Sequence, residues 1–335
     1  FIRHSHFFYE QNNYLTDGID IETRDSSNRI VGKKIWLIDH NDPDNNDFLA
    51  VNQFTAIEKD KTRRLDIVIF INGIPLIFFE LKNPVDENTD IKYAYNQLQT
   101  YKFELPSLFK FNEMLVISDG YFAKAGTISS EYERFMPWKS TDGKDVISSN
   151  VEQLKTLING VFNKKTIIDL ISHFIIFENE EGKYTKKLAS YHQYFAVNKA
   201  VEKTIESTGE KGDRRTGVIW HTQGSGKSLT MVFYTGKLVL ILNNPTIVLL
   251  TDRNDLDDQL FGVFSRCSDI LRQAPVQSDS RERLKELLSV ASGGIIFTTI
   301  QKFFPDEKGA KNPMLSERSN IIVIADEAHR SQYDF

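Results

Sequence analysis

Trp220-His221-Thr222-Gln223-Gly224-Ser225-Gly226-Lys227-Ser228 is the stretch on which the fold of this chain turns. The residues before it, 217–220, have the apolar, β-prone character of a strand, and Leu229, Val232, Phe233 and Leu240 after it keep helical spacing. A Gly-rich turn between strand and helix lets backbone N–H groups point inward around phosphate oxygens, and the helix N-terminus adds its partial positive charge. Thr222, Gln223, Gly224, Ser225 and Gly226 would line such a cradle. Lys227 could then reach the β- and γ-phosphates, and the Ser228 hydroxyl could coordinate Mg²⁺. About a hundred residues later, Ile321-Ile322-Val323-Ile324-Ala325-Asp326-Glu327-Ala328-His329 reads as a buried parallel strand ending in two carboxylates. Ligands bind at that end of the strands in open α/β sheets. Asp326 would hold Mg²⁺ through water and Glu327 would polarise the attacking water, as phosphoryl transfer from ATP requires.

Outward from this pair, residues 189–335 alternate strand and helix. Strands are expected at 217–220, 246–251, 295–299 and 320–325, and helices at 193–206, 227–242 and 281–288. That rhythm predicts a parallel sheet covered by helices. A length of 335 residues suggests about two domains. Residues 1–150 form the first and residues 151–188 a connector, with a helix over 151–162 and a charged stretch at 178–187. The first domain reads as short β-rich segments with some helix: a strand at 35–38, a polar turn at 41–47, a helix over 90–102 and a strand at 114–117.

Composition narrows the function classes. With 40% apolar residues, 24 Phe and 12 Tyr, the chain can build packed cores. Its single cysteine, Cys267, excludes an internal disulfide framework and an all-cysteine zinc site, and fits a reducing, cytoplasmic compartment. No apolar run approaches the roughly 18 residues of a membrane helix, and no secretory signal pattern opens the chain. A soluble protein without membrane contact is expected. The net charge of −5 confines any nucleic-acid surface to local patches, such as Lys59, Lys61, Arg63 and Arg64 with Lys82 and Lys92 further on. His4-x-His6 has metal-like spacing but no third ligand in view, and reads as solvated. Phe1 is not an initiator Met, so the chain reads as a fragment.

The clearest signal in the first domain is a hairpin. Residues 65–71 and 74–82 are β-prone runs around Asn72-Gly73, a strong turn dipeptide. They carry Asp66, then Glu80-x-Lys82. Two carboxylates can share a divalent ion that polarises a scissile phosphate, while a lysine neutralises developing charge. Glu80 and Lys82 share a strand face. A plain two-residue turn would put Asp66 opposite Phe79, on the wrong face. The expected form is therefore a three-residue loop, with Asp66 opposite Phe78 and diagonal to Glu80 at about 7–8 Å, or an equivalent bulge near Pro75. Glu80 also follows an unbroken apolar run, where a carboxylate is costly without a metal or partner. Gln97 and Tyr101 lie one helical turn apart just after the hairpin.

Asp326-Glu327-Ala328-His329 with the phosphate loop resembles the superfamily 2 helicases and translocases, in which His221 commonly stands where the general phosphate-loop pattern has glycine. That resemblance implies that Gln193 reads the adenine edge, that Thr251-Asp252-Arg253 and Thr298-Thr299-Ile300-Gln301 contact the DNA backbone, and that His329 links nucleotide state to a second lobe. Asp66 with Glu80-x-Lys82 resembles the PD-(D/E)xK nucleases, and Gln97-x-x-x-Tyr101 is similar to the extra motif of type I restriction endonuclease R subunits. The order of nuclease then motor, the run Asp326-Glu327-Ala328-His329-Arg330-Ser331-Gln332 and Trp220-His221-Thr222 also resemble that subunit. The resemblance implies an α/β architecture: a mixed-sheet restriction-endonuclease-like domain, then a RecA-like parallel-sheet lobe. It also implies ATP-dependent translocation and Mg²⁺-dependent cleavage of double-stranded DNA, with partner subunits for methylation and specificity. Asp66, Glu80, Lys82, Gln97, Tyr101 and Glu327 would be catalytic; Asp66, Glu80, Ser228 and Asp326 would hold Mg²⁺. A further acidic residue usual upstream in the nuclease fold has Glu10 and Glu22 as candidates. The second motor lobe with its arginine finger is not in these residues, so they alone should turn ATP over poorly.

Three other readings compete. A helicase–nuclease of DNA repair would use the same parts; a non-cutting, ATP-switched DNA-binding module would keep the hairpin carboxylates as structure; a generic phosphate-loop ATPase would not respond to duplex DNA.

Overall fold

The computed structural model of the chain describes residues 2–83, 90–148, 152–252, 254–305 and 312–328, with backbone only for 2–7 and 254–257. Two compact units result, Phe1–Phe195 and Ala196–Phe335.

The first unit begins with α1 (Ile2–Thr16) and a ribbon of β1 (Ile19–Arg24) and β2 (Ile30–Ile35). The strand expected at 35–38 is thus displaced toward the N-terminus. β1 offers no pairing position beyond Ile19, which meets Ile35, and Ile38 is buried in the loop that follows. Next come β3 (Phe48–Glu58), β4 (Lys61–Ile71), β5 (Ile74–Leu81), α2 (Ile91–Glu104), β6 (Met114–Ser118) and β7 (Ala123–Gly126). The sheet runs β3-β4-β5-β6-β7, parallel between β5 and β6 and antiparallel elsewhere. A parallel neighbour requires a crossover, and α2 is that crossover. The Asp90 carboxylate caps α2 by accepting from the Lys92 and Tyr93 amides. Ile91, Ala94, Leu98 and Tyr101 fall on its buried stripe and pack against Leu65, Val68, Phe78 and Leu115 of the sheet. Each fully buried aliphatic or aromatic side chain there contributes roughly 1.5–3 kcal/mol.

Residues 152–188, expected as a connector, lie within this unit as α3 (Gln153–Val161), α4 (Lys164–His173) and the hairpin of β8 (Ile175–Glu180) and β9 (Lys183–Leu188). The expected helix over 151–162 starts at Gln153, and Val151 is outside the described residues. The charged stretch at 178–187 is strand because one of its charges turns inward. Lys186 is 2% exposed and bonds Glu113 Oε2 at 2.7 Å, while its backbone meets Thr127 and Ser129.

The second unit takes in most of α5 (Tyr191–Thr208), then α6 (Lys227–Ile241), β10 (Thr246–Thr251), α7 (Asn254–Arg266), α8 (Ser268–Leu271), β11 (Val276–Gln277), α9 (Arg281–Ser289), β12 (Ile295–Thr299) and β13 (Ile321–Ala325). Its sheet, ordered β11-β12-β10-β13, is parallel throughout. Leu284 and Leu288 of α9 pack on Val248 and Ile296, while Phe264 of α7 packs edge-on at 5.1 Å from Phe297, which alternation turns to the other face. Helices therefore cover both faces, as in a RecA-like lobe.

Two sequence expectations fail here. Residues 217–220 form no strand, with Val218 and Trp220 85% and 84% exposed, because no ladder among the described residues pairs with them. β-propensity yields a strand only where a neighbour supplies hydrogen bonds and packing. β13 is parallel but not buried: it is the edge of its sheet, and Val323 is 55% exposed. Among the described residues no helix is long and apolar enough to cross a membrane.

Candidate functional site

The hairpin of β4 and β5 solves its face problem differently from the expected three-residue loop. Asn72 and Gly73 both have left-handed backbones, φ 50° and 78°, and form a two-residue turn that pairs Ile71 with Ile74. The extra residue is Leu76: Phe70 pairs with Pro75, but Ile69 pairs with Ile77. This bulge near Pro75 shifts the register by one, and continuing the ladder from Ile67–Phe79 sets Asp66 directly opposite Glu80 rather than opposite Phe78. Direct opposition brings the two acids closer than the expected diagonal.

Around them the polar groups are connected. Asp66 Oδ2 accepts from the Leu81 amide at 2.8 Å, and Asp66 Oδ1 from Gln53 Nε2 at 3.2 Å. Glu80 is 1% exposed. Its Oε1 accepts from Lys82 Nζ at 2.6 Å, and its Oε2 is buried with no hydrogen-bond partner. Lys82 Nζ also donates to Gln97 Oε1 at 2.7 Å. Gln97 Nε2 donates to Tyr101 Oη, which donates to the Arg64 carbonyl at 3.3 Å. Burial lifts the Glu80 carboxyl to about 7, the Lys82 bond opposing this and the nearby Asp66 charge adding to it. The five residues picked from the sequence are therefore one constellation. Gln53 and the Leu81 amide were missed. A backbone amide carries no sequence signal, and Gln53 counts only through the strand register.

A divalent cation fits this pocket, since the orphaned Glu80 oxygen beside a second carboxylate needs a positive partner. Among the described residues no three His, Cys, Asp or Glu gather. Two carboxylates suit Mg²⁺, which keeps several waters and takes substrate phosphate as ligand. Glu10 and Glu22, the candidates for a further acid, are exposed on α1 and β1. Within the basic run, Arg63 forms a bidentate pair with Glu104, and Lys61 Nζ lies 3.2 Å from Asp60 at the surface.

In the second unit, Gly224 and Gly226 have φ 80° and 86°, a backbone glycine adopts without strain, and Gly226 begins α6. The Ser225 hydroxyl and amide bond the Thr222 carbonyl at 2.7 and 3.3 Å, closing the turn, while Gln223 is exposed beside it. Lys227 Nζ approaches Glu327 Oε1 at 3.9 Å, so the phosphate loop and the end of β13 converge as expected. Ser228 follows in the first turn of α6. Burial raises the Asp326 carboxyl; the Glu327 amide, donating to Oδ1 at 2.9 Å, opposes this. Glu327 itself has φ 49°. Thr251 stands beside Thr299 in the ladder, and Gln301 Nε2 donates to the Asp252 carbonyl at 2.9 Å, bringing both strand-end motifs together. In the first unit, Gln193 accepts from the Ser190 amide at 2.9 Å and is buried, not solvated. Arg253, His329, Arg330, Ser331, Gln332 and the side chains of His4 and His6 lie outside the described residues.

Comparison with known proteins agrees with both halves. Residues 3–134 match the family described as Type I restriction enzyme R protein N terminus, and residues 192–335 match SWI2/SNF2 ATPase. The chain belongs to the type I restriction enzyme R-subunit family. It is 48% identical over 328 residues to the type I restriction enzyme HindI endonuclease subunit of Haemophilus influenzae, covering 96% of this chain and 31% of that protein. It is 38% identical over 350 residues to the protein designated the MjaIXP endonuclease subunit of Methanocaldococcus jannaschii, covering 97% and 32%. The chain thus spans about a third of these R-subunit relatives.

Proposed function

We propose that this chain is the nuclease and first motor lobe of a restriction subunit that translocates double-stranded DNA with ATP and cuts it with Mg²⁺, working with methylation and specificity subunits in one complex. The observation that carries the nuclease half is the opposition of Asp66 and Glu80 with Lys82 held beside them. Asp66 and Glu80 would hold the ion. When bound, Mg²⁺ supplies a polarised scissile phosphate and an acidified water. Lys82 Nζ, an oriented cation, donates to the charge that develops on the phosphate oxygens as water attacks phosphorus and the sugar oxygen leaves. Gln97, backed by Tyr101, keeps that ammonium aimed. In the motor, Lys227 would reach the terminal phosphates, Ser228 and Asp326 would hold the nucleotide's Mg²⁺, and Glu327 would orient the attacking water. The facing Thr251 and Thr299 strand ends would meet the DNA backbone.

The reading is tested in the complete subunit assembled with its partners on circular duplex DNA. Asp66→Ala should abolish cleavage while DNA-stimulated ATP turnover persists, and Lys227→Ala should abolish both. Cleavage that survives Asp66→Ala would leave a non-cutting, ATP-switched DNA-binding module as the better description.

A further inference from the structure

Gln53 sits in the middle of β3 with φ 51°, a left-handed backbone in an eleven-residue strand. Its neighbours pair regularly, Asn52 with Ile67 and Phe54 with Leu65, so Gln53 is the residue opposite Asp66 and is absent from the ladder. A non-glycine residue in that conformation is strained, and such strain collects at functional sites. Glycine would adopt this backbone freely. What glutamine adds is its side chain, and that side chain donates to Asp66 Oδ1 at 3.2 Å.

The Asp66 carboxylate is consequently gripped at both oxygens, by Gln53 at Oδ1 and by the Leu81 amide at Oδ2, 2.8 Å away. Two donors from strands on either side of β4 fix the plane of the carboxylate. Each oxygen keeps a second lone pair for a cation. On the Glu80 side the corresponding clamp is Lys82, which holds Oε1 and leaves the buried Oε2 without a hydrogen-bond partner.

We infer that Gln53 is a positioning residue of the nuclease site, held by a left-handed twist in β3 so that its amide orients the Asp66 carboxylate toward the divalent cation shared with Glu80. The inference rests on the nuclease reading above. Residues that orient metal ligands typically alter metal affinity or activity by about 10–100-fold when removed.

Gln53→Gly separates side chain from backbone, because it deletes the amide while easing the left-handed conformation. In the full-length subunit without nucleotide, Mn²⁺ binding followed by electron paramagnetic resonance should weaken by about tenfold or more. In the assembled complex, the Mg²⁺ concentration for half-maximal DNA cleavage should rise by a similar factor. Thermal unfolding should stay at the wild-type temperature or rise, and DNA-stimulated ATP turnover should be unchanged. Wild-type Mn²⁺ affinity and Mg²⁺ dependence in Gln53→Gly would overturn the inference, as would a lowered unfolding temperature, which would mark the side chain as structural. Asp66→Ala is the control: if it leaves Mn²⁺ binding and cleavage intact, the nuclease reading fails, and the role of Gln53 with it.

Discussion

Gln97 Oε1 accepts from Lys82 Nζ at 2.7 Å, so a helix residue aims the lysine that a strand delivers. Strand geometry alone puts Lys82 on the face of Glu80 but leaves its long side chain several rotamers. Lys82→Ala should lower single-turnover cleavage by roughly 10²–10³-fold, the range for losing one oriented donor to developing charge. Gln97→Ala should cost about 10–100-fold, since the lysine remains but is held by Glu80 alone. Tyr101→Phe should be the mildest of the three. Equal losses from Gln97→Ala and Tyr101→Phe would place Tyr101 nearer the chemistry than this hydrogen-bond chain does.

Glu80 gives the proposed nuclease site a pH signature. Its folded-state value of about 7 lies above the ordinary glutamate value because burial, with the Asp66 charge behind it, disfavours ionisation. Without metal, the folded state holds this proton more tightly than the unfolded chain does. Its favourable contribution is therefore fully present below about pH 4.5 and disappears as pH rises to about 7, at most about 3 kcal/mol. Divalent binding requires the ionised form, so cation affinity should climb across the same window and level off above it. Denaturant titrations with and without Mn²⁺ between pH 5 and 8, compared with Glu80→Gln, test both slopes.

Lys227 and Glu327 approach at 3.9 Å, close enough for Lys227 to be drawn from Glu327 to nucleotide phosphate. Lys227→Ala should reduce ATP turnover in the assembled subunit by at least about 10²-fold, the scale of losing an oriented cation at a transferring phosphate. Glu327→Gln should retain nucleotide binding while blocking hydrolysis. Fluorescent nucleotide titration alongside phosphate release distinguishes binding from turnover. Loss of binding in Glu327→Gln would contradict the assigned role.

Glu113 and Lys186 form an ion pair 1% and 2% exposed, with Lys186 Nζ also on the Asn112 carbonyl at 2.8 Å. Burial pushes the glutamate up and the lysine down, each opposed by its partner. Lys186→Met strands a buried carboxylate and should destabilise the first unit by about 3–5 kcal/mol. The double change Lys186→Met with Glu113→Leu should recover much of that loss, as read by chemical denaturation. A double variant no better than the single one would mean that the pair's geometry, rather than its charge balance, holds the β8–β9 hairpin in place.

The sequence alone named the candidate groups and their broad setting. Asp66, Glu80, Lys82, Gln97 and Tyr101 were legible because strand alternation and helix spacing are local, and Gly224 to Ser228 because the turn demands those residue types. The parallel second sheet followed from the alternation of strand and helix, whereas the mixed first sheet was implied by the resemblance to R subunits. Register was another matter. Whether the extra residue falls in the turn or at Leu76 is settled by packing and ladder bonds of both strands, and that decision put Asp66 opposite Glu80. Burial of Lys186, the exposure of residues 217–220 and the left-handed Gln53 likewise depend on partners distant in sequence. Local spacing named the groups that can hold a cation; only the long-range pairing of strands decided which of their oxygens meet, because hydrogen-bond ladders and buried charges are satisfied across the fold rather than along the chain.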